Sequence, residues 1–434
     1  MHDRTRRLLC RWGFLIFCVV PTLAVVVCIG ILRSPAYVAA RRVACERRLS
    51  DAVGLNVSVG QARELLQGVT QLEQVVLTEP ETGAVIGRIR HLEFGQQDGR
   101  LVVLGSQPEI DGEHIWRLWE ALHERVLRAR AADALDALFY AGEVTIRQAG
   151  GEQATTLTDV RSSLRTTESG PQATLEFRDA AVQMSEPAQL RITRNRQVQP
   201  PATRWELNTR STALPCTLLA DYLDILHTVG DRATFQGTIE AMPAAAGWEG
   251  EAAGRFVDVD LDRLTERQPH KLSGFAEVVL RRARFQAGRL IDAAGDLTCH
   301  GGVVTRSLLY QADKSLGLAA DARLLAPQAN TLVVFRQLKF GFTLDQSGIQ
   351  IAGQCLPPGS GVVMTDDGGP LLSSNPREAV QVTALVRTLA PDSTEQVPAN
   401  FEAYQLLHVL PIPVENERSR TDLASPLYPR LRLH

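Results

Sequence analysis

Hydrophobic and polar residues alternate along most of this chain, but one segment near its N-terminus is uniformly apolar. Residues 13–32 carry no charged side chain and lie between Arg11 and Arg33. A helix of about 20 apolar residues crosses the roughly 30 Å hydrocarbon core of a bilayer. Pro21 lies within this run, where a membrane helix tolerates the lost backbone hydrogen bond. The pattern predicts a transmembrane helix over residues 13–32, after a basic tail over residues 1–12.

A cleaved signal peptide is the alternative interpretation of this segment. Its basic region would be the arginine-rich tail, and its cleavage site the small residues at positions 38–40. The apolar run of a signal peptide is about 7–15 residues long, which is shorter than this run. We therefore favour a retained anchor. Because long domains translocate largely regardless of charge, whereas a short basic tail resists crossing, we expect the N-terminus to be cytoplasmic.

The residues after the anchor predict a basic juxtamembrane helix over residues 33–54 that continues it. Gly54 is a natural C-terminal stop for this helix. Its apolar residues incline to one side of the helix: Val38, Val43, Ala44, Leu49 and Val53.

Beyond this helix the pattern changes to short runs of period two, which continue to about residue 410. Alternation of apolar and polar residues is typical of strands with one apolar face. Residues 173–177, 233–241 and 338–344 show it most clearly. Further strands are predicted at residues 56–60, 72–78, 85–94, 101–110, 143–148, 205–211, 278–285, 290–299 and 349–353. Turn dipeptides such as Asp98-Gly99 favour antiparallel hairpins.

Helices are predicted to interrupt these strands at intervals. The helical segments are residues 114–130, 215–228, 260–267, 304–313, 376–389 and 401–407. Strand and helix do not alternate as they do in a parallel α/β sheet. The fold class is therefore mainly β with inserted helices, in which the transmembrane helix precedes an antiparallel sheet over residues 55–410. A C-terminal tail follows over residues 411–434.

Charge and cysteine usage limit the function classes. The chain has 46 basic and 49 acidic residues, and removing the four arginines and one aspartate of the tail leaves a body with a net charge of −6. Such a body is not a general nucleic-acid binder. The cysteines beyond the membrane segment are far apart and form no C-x-x-C pair, so they indicate neither a disulfide scaffold nor a zinc site. A single disulfide stays open as an alternative.

Catalytic motifs are absent from the sequence. It contains no G-x-S-x-G, H-E-x-x-H or glycine-rich phosphate loop, and we expect no enzyme activity, no cofactor and no metal. Asp258, Asp260 and Asp262 have the spacing of a calcium loop, but a helix N-terminus explains them better. Cys299 and His300 are adjacent, so on a strand their side chains point to opposite faces and do not form a nucleophile and base.

The segment from Ile115 to Leu127 forms a broad apolar helix face that includes two tryptophans, Trp116 and Trp119. We expect this face to cover the sheet; membrane docking is the alternative.

Several segments together resemble the AsmA-like proteins, a family that includes relatives of AsmA and TamB. The segments are GLNVSVGQAR, GVTQLEQVVLTEPETGAVIGRIRHLEF, GRFVDVDLDRL and LSGFAEVVLRRARFQAGRLIDAAGDL, behind a short basic tail and one anchor. The resemblance implies a bacterial inner-membrane helix that holds an elongated, curved, taco-like periplasmic sheet with an apolar concave side. It implies lipid transport or support of outer-membrane assembly, with the membrane, phospholipid or another acyl lipid and envelope proteins as partners. The family has no active-site residues.

Three hypotheses follow from the pattern and the resemblance. In the first, the alternating side chains line an apolar groove that shields acyl tails, and the groove candidates are Leu175, Phe177, Phe235, Ile239, Leu338, Phe340, Phe342 and Leu344. In the second, the same side chains pack the closed core of a tethered structural or protein-interaction domain. The third, an anchored hydrolase, needs a pocket of converging titratable groups that the sequence does not reveal.

Overall fold

The structure is a computed structural model. It describes residues 12–65, 68–128, 136–147, 154–180, 186–220, 226, 228–244, 247–266, 268–287, 289–324, 331–357, 359–375, 379–390 and 410–411. The predicted helix over residues 401–407 lies outside these residues, as do the predicted terminal tails except Trp12 and Pro411.

The predicted fold class is confirmed. Strands make up 54% of the described residues and helices 25%, and one long apolar N-terminal helix precedes a large, open, mostly antiparallel sheet. Backbone contacts divide the chain into two compact units, Met1–Pro201 and Ala202–His434. We call them unit 1 and unit 2. The sequence pattern had indicated one continuous body and no boundary near residue 201.

The N-terminal helical segment Trp12–Ile31 is long and apolar enough to cross a membrane, and none of it is buried in the protein. It contains a π-helical turn, Leu15–Val19, and the helix α1, Val20–Leu32. The π turn directly precedes Pro21, whose ring clashes with the carbonyl four residues earlier in a regular helix. Widening the backbone before Pro21 relieves this clash.

The juxtamembrane helix α2, Pro35–Val53, is a separate helix and not a continuation of α1. Ser34 has extended backbone angles (φ −65°, ψ 140°), and its hydroxyl oxygen accepts a hydrogen bond from the backbone N–H of Tyr37 at 3.3 Å. Pro35 occupies the first turn, where its missing N–H is harmless. Gly54 ends α2 in the left-handed conformation (φ 78°), as the sequence predicted.

Among its described residues, unit 1 contains eight strands that pair in sequence order. They are β1 Asn56–Glu64, β2 Thr70–Thr78, β3 Val85–Gln97, β4 Arg100–Asp111, β5 Ala137–Arg147, β6 Ala154–Thr167, β7 Gly170–Asp179 and β8 Ala188–Asn195. Six of the seven pairings are antiparallel, and β4 and β5 are parallel. A parallel pair needs a crossover connection. The described part of this crossover is a 3₁₀ turn, Gly112–His114, the helix α3, Ile115–Leu122, and a π turn, His123–Leu127.

Unit 2 contains fourteen described strands. They are β9 Ala202–Asn208, β10 Leu214–Pro215, β11 Thr234–Ala244, β12 Gly247–Asp260, β13 Leu272–Ser273, β14 Phe275–Gln286, β15 Arg289–Cys299, β16 Gly302–Thr305, β17 Ala319–Ala320, β18 Leu332–Phe335, β19 Gln337–Asp345, β20 Gly348–Gly353, β21 Val362–Asp366 and β22 Gly369–Ser373. Antiparallel pairing runs β9–β11–β12–β14–β15–β19–β20, and β21 also pairs with β19. A smaller three-stranded sheet joins β13, β16 and β18.

The helices of unit 2 are α4 Thr217–Ala220, α5 Leu261–Thr265, α6 Arg306–Leu316 and α7 Val382–Leu389. A short 3₁₀ turn, Ala322–Leu324, follows α6. The helices predicted at residues 260–267, 304–313 and 376–389 are confirmed with shifted ends. The prediction that Pro215 begins a helix was wrong, because Pro215 pairs with Thr234 as part of β10.

The core of unit 2 is a cluster of buried residues from strands and from both longer helices. Leu308, Leu309 and Leu316 of α6 and Val382 and Val386 of α7 belong to it. They pack with three strand residues: Leu338, Leu344 and Ile349.

Candidate functional site

The eight groove candidates divide into two equal groups by burial. Four are buried side chains: Phe177 (7% exposed), Phe235 (1%), Leu338 (5%) and Leu344 (6%). Four remain partly exposed: Leu175, Ile239, Phe340 and Phe342. Leu338 and Leu344 belong to the unit 2 core, and Phe340 and Phe342 pack beside it. Ile239 packs beside a second buried cluster, so seven of the eight candidates take part in packing.

Leu175 belongs to an apolar row that crosses unit 1. Residues opposite one another on paired strands point to the same face of a sheet. Pairing joins Phe94 of β3 to Val103 of β4, and Val103 to Phe139 of β5. Phe139 then pairs with Ser162 of β6, Ser162 with Leu175 of β7, and Leu175 with Leu190 of β8. The apolar members are all partly exposed, and we call them the open row: Phe94, Val103, Phe139, Leu175 and Leu190.

The open row is longer than one acyl chain. It extends from β3 to β8, which is five strand spacings of about 4.8 Å, or about 24 Å. One leaflet of a bilayer has half of the roughly 30 Å hydrocarbon thickness. The row is therefore long enough for a fully extended acyl chain to lie across the strands.

The opposite face of the same strands is mixed in character. Leu104 (48% exposed) and Tyr140 (37%) are its most exposed large apolar residues, and they pair with each other across β4 and β5. Their outer neighbours are charged, because Leu104 also pairs with Glu93 and Tyr140 with Arg161. A pair flanked by charges is typical of ordinary protein surface.

Helix α3 packs against the sheet of unit 1, as predicted, and contacts β3. None of its residues is buried, although its apolar side chains are partly covered. The Arg117 guanidinium lies 3.7 Å from the centre of the Trp116 ring and pairs with the buried carboxylate of Glu79. This ion pair attaches the start of α3 to the residue that follows β2.

The π turn after α3 contacts two arginines at the end of β8, Arg194 within the strand and Arg196 directly after it. Arg196 donates a hydrogen bond to the backbone oxygen of Leu127 at 3.1 Å, and Leu127 is fully buried. His123 Nε2 lies 3.5 Å from Arg194 Nη1. Burial lowers the pKa of His123, and the hydrogen bond that its ring donates to the Glu124 carboxylate opposes this shift. A neutral imidazole next to Arg194 avoids like-charge repulsion.

Unit 2 has a comparable row. Phe256 of β12 pairs with Val278 of β14, Val278 with Leu297 of β15, and Leu297 with Phe340 of β19. All four side chains are partly buried and pack against the core cluster. This row is the edge of a closed core. Phe94 of the open row likewise packs beside a buried cluster, but the helices that pack on the sheet of unit 1 contribute no buried residue.

The residues that could carry chemistry have structural roles. Burial raises the pKa of the Cys299 thiol to about 11, so the thiolate is scarce at neutral pH. Burial raises the pKa of Cys216 to about 12 and also raises that of Cys355. All six described cysteines are free: Cys18, Cys28, Cys45, Cys216, Cys299 and Cys355. A disulfide is therefore not formed among them.

The two acidic clusters are also explained by local structure. Asp260 Oδ1 accepts a hydrogen bond from the Asp262 backbone N–H at 3.0 Å and caps α5, which confirms the predicted helix N-terminus. Asp111 Oδ1 accepts one from Glu113 N–H at 3.1 Å and caps the 3₁₀ turn, while His114 lies beside the same carboxylate. Asp262 also forms an ion pair with Lys271 at 3.1 Å.

Sequence reasoning found one member of the open row, Leu175, and missed the other four. Phe94 and Val103 lie in predicted strands, but β5 was predicted to begin six residues too late to include Phe139, and β8 was not predicted. The signal that could have found them is the pairing register, which alternation within one strand does not give.

Comparison of this chain with protein-family models, with curated proteins and with solved structures finds no match.

Proposed function

We propose that this chain is a single-pass, membrane-anchored, non-enzymatic protein of the bacterial envelope whose sheet binds acyl chains along the open row of unit 1. Its role would be lipid transfer or support of outer-membrane assembly, as the AsmA-like resemblance implies. Its body would lie in the periplasm and its anchor in the inner membrane.

The open row is the observation that carries this proposal. Five apolar side chains of β3, β4, β5, β7 and β8 remain partly exposed in the unit that also contains the apolar helix Trp12–Ile31, and Ser162 of β6 lies between Phe139 and Leu175. Leaving apolar surface in water is unfavourable, and large exposed apolar surfaces mark binding sites. Covering it with an acyl chain contributes about 0.8 kcal/mol per buried methylene. Shielding of acyl tails by this surface needs no catalytic residue.

A photoreactive amino acid at position 175 tests this proposal in the full chain in native membranes. Leu175 belongs to the open row, whereas its neighbour Thr174 points to the other face of β7. Phe177, on the same strand, is buried and provides a second control. We expect lipid adducts by mass spectrometry at position 175 and few at positions 174 and 177. Equal adduct yields at 174 and 175, or none at 175, would contradict the proposal.

A tethered structural or protein-interaction domain is the second candidate function. The buried core of unit 2 favours this second function, because Leu338 and Leu344 pack within that core and do not line a groove. The same experiment separates the two candidates. Adducts to protein and not to lipid at position 175 would favour the interaction domain.

A further inference from the structure

Helix α2 is attached to the edge of the sheet by its polar side chains. Glu46 Oε1 accepts a hydrogen bond from the backbone N–H of Val59 at 2.9 Å, and Ser50 Oγ accepts one from Val57 N–H at 2.9 Å. Residues four apart lie on the same side of a helix, so Glu46 and Ser50 form one stripe. This stripe satisfies backbone groups of β1 that an edge strand leaves unpaired.

An apolar stripe beside these two residues fixes the rotation of α2. Cys45 and Leu49 pack against the buried cluster formed by Val57 and Val59 of β1 and two residues of β2. With both stripes against the sheet, the opposite side of α2 faces away from it. The exposed residues on that outward side are Tyr37, Ala40, Ala44, Arg47, Arg48 and Asp51.

The arginines of α2 differ in their partners. Arg41 pairs with Glu64, and Arg42 lies 3.9 Å from Glu46. Arg47 and Arg48 are exposed and take part in none of the ion pairs found among the described residues. Two neighbouring positive charges therefore lie on the outward side with one negative charge, Asp51, and Tyr37 lies about 15 Å away, towards the start of α2.

Only two residues separate α2 from the apolar helix. α1 ends at Leu32 and α2 begins at Pro35. If α1 spans a bilayer, the first turn of α2 lies at the bilayer interface, where tyrosine and arginine side chains are favoured. The extended backbone of Ser34 changes the direction of the chain between the two helices.

We propose that the outward side of α2 docks on the anionic phospholipid surface of the bilayer that holds α1, with Arg47 and Arg48 contacting the headgroups. An anionic bilayer surface is complementary to the two arginines, and the covalent link to α1 keeps α2 close to that surface. Each arginine near an anionic leaflet strengthens membrane binding about fivefold. Because Glu46 and Ser50 bind β1, docking of α2 also holds the first edge of the sheet at the membrane surface. This inference depends on the proposed anchor but not on acyl binding by the open row.

Reconstitution of the full chain into vesicles tests the docking. A photoreactive residue at Ala44 reports on the outward side of α2, one at Val25 reports on the anchor, and one at Leu175 reports on the open row. Vesicles contain phosphatidylcholine alone or phosphatidylcholine with phosphatidylglycerol. We expect lipid adducts at position 25 in both, and adducts at position 44 that increase severalfold with phosphatidylglycerol.

The charge variant is Arg47→Gln with Arg48→Gln, and its matched control is Arg88→Gln with Arg90→Gln at exposed positions of β3. We expect the first to abolish the phosphatidylglycerol effect at position 44 and the second to retain it. Adducts at 25 without an anionic increase at 44 would overturn the docking alone. No adducts at 25 would overturn the anchor and this inference with it. Failure at position 175 alone would overturn only the acyl binding of the open row.

Discussion

Units 1 and 2 share the same period-two alternation but cover its apolar side chains differently. In unit 2, helices α6 and α7 contribute buried leucine, alanine and valine residues to one large core cluster. In unit 1, no residue of α2 or α3 is buried. One ion pair attaches α3, and a hydrogen bond from Arg196 holds the π turn that follows it. Alternation therefore defines an apolar face, but the helix that packs on it determines whether the face becomes core. The open row belongs to the less covered unit.

The largest expected effect comes from a matched pair of phenylalanines that each lie over glycine. A Cβ on Gly254 would be 2.8 Å from the Phe235 ring, and one on Gly105 would be 3.1 Å from the Phe139 ring. Phe235 is buried and Phe139 is partly exposed. We expect Phe235→Ala to lower the free energy of unfolding by about 3–5 kcal/mol. For Phe139→Ala we expect about 1–2 kcal/mol.

Hydrogen exchange measured by peptide reports the opening free energy of each unit separately. The Phe235 variant should lose protection in β11 and β12, and the Phe139 variant should lose less, in β4 and β5. Equal losses would mean that the open row is packed as tightly as the core of unit 2.

The next effect concerns the attachment of α3. Arg117→Ala leaves the carboxylate of Glu79, which is 4% exposed, without its cationic partner. We expect a loss of about 3 kcal/mol, because an unpaired buried charge is strongly unfavourable. The control is Arg128→Ala, which removes an exposed pair with Glu124 and should cost about 0.5 kcal/mol. The hydrogen-exchange rates of the α3 amides measure the loss of stability in each variant. A similar response to the two variants would show that Glu79 does not hold α3.

A smaller effect is expected at the edge of β1. Ser50→Ala removes the acceptor of the Val57 N–H and should lower stability by about 1 kcal/mol. Ser106→Ala on β4, an exposed position, is the control. Faster exchange of the Val57 amide in the first variant only is the expected result. Unchanged exchange at Val57 would show that α2 does not cap this edge.

The smallest effect is a pH dependence in unit 1. Burial lowers the pKa of His123 from 6.5, so between its folded pKa and 6.5 the unfolded chain binds more protons than the folded one. Stability of unit 1 should therefore rise with pH through this window and fall as the pH drops below about 6.5. His123→Gln should remove this contribution. Titration of the opening free energy measures the slope, and an unchanged slope in the variant would contradict the assignment.

Much of the fold is predictable from sequence, because its elements have local causes. The apolar helix, the Gly54 stop and the Asp260 cap are each determined by a few residues in sequence. Backbone irregularities break the alternation from which strands are predicted, although β2 itself was predicted. Leu72 and Val75 of β2 are three residues apart and share one buried cluster, because Gln74 between them has φ 54° and shifts the alternation. Asp159 has φ 51° in β6, which sequence reasoning did not predict as a strand.

Long-range strand pairing explains the other features of the structure that the sequence did not predict. The parallel β4–β5 pair depends on a crossover whose register no local pattern specifies. β12 has few large apolar residues, because Phe235 of β11 fills the space over Gly254. The open row is likewise a property of six strands together. The capping of β1 by Glu46 and Ser50 joins a helix to a strand edge, which no periodicity reveals.

Lipid analysis of the purified full chain tests the central claim, that the open row of unit 1 binds acyl chains. Val103→Gln with Leu175→Gln makes the open row polar. Val102→Gln with Thr174→Gln changes neighbouring residues on the opposite face, with the anchor intact in both. We predict that the wild type and the Val102→Gln/Thr174→Gln variant retain bound phospholipid in mild detergent. The Val103→Gln/Leu175→Gln variant should retain only the lipid that surrounds the anchor. Equal lipid content in all three proteins would contradict the central claim.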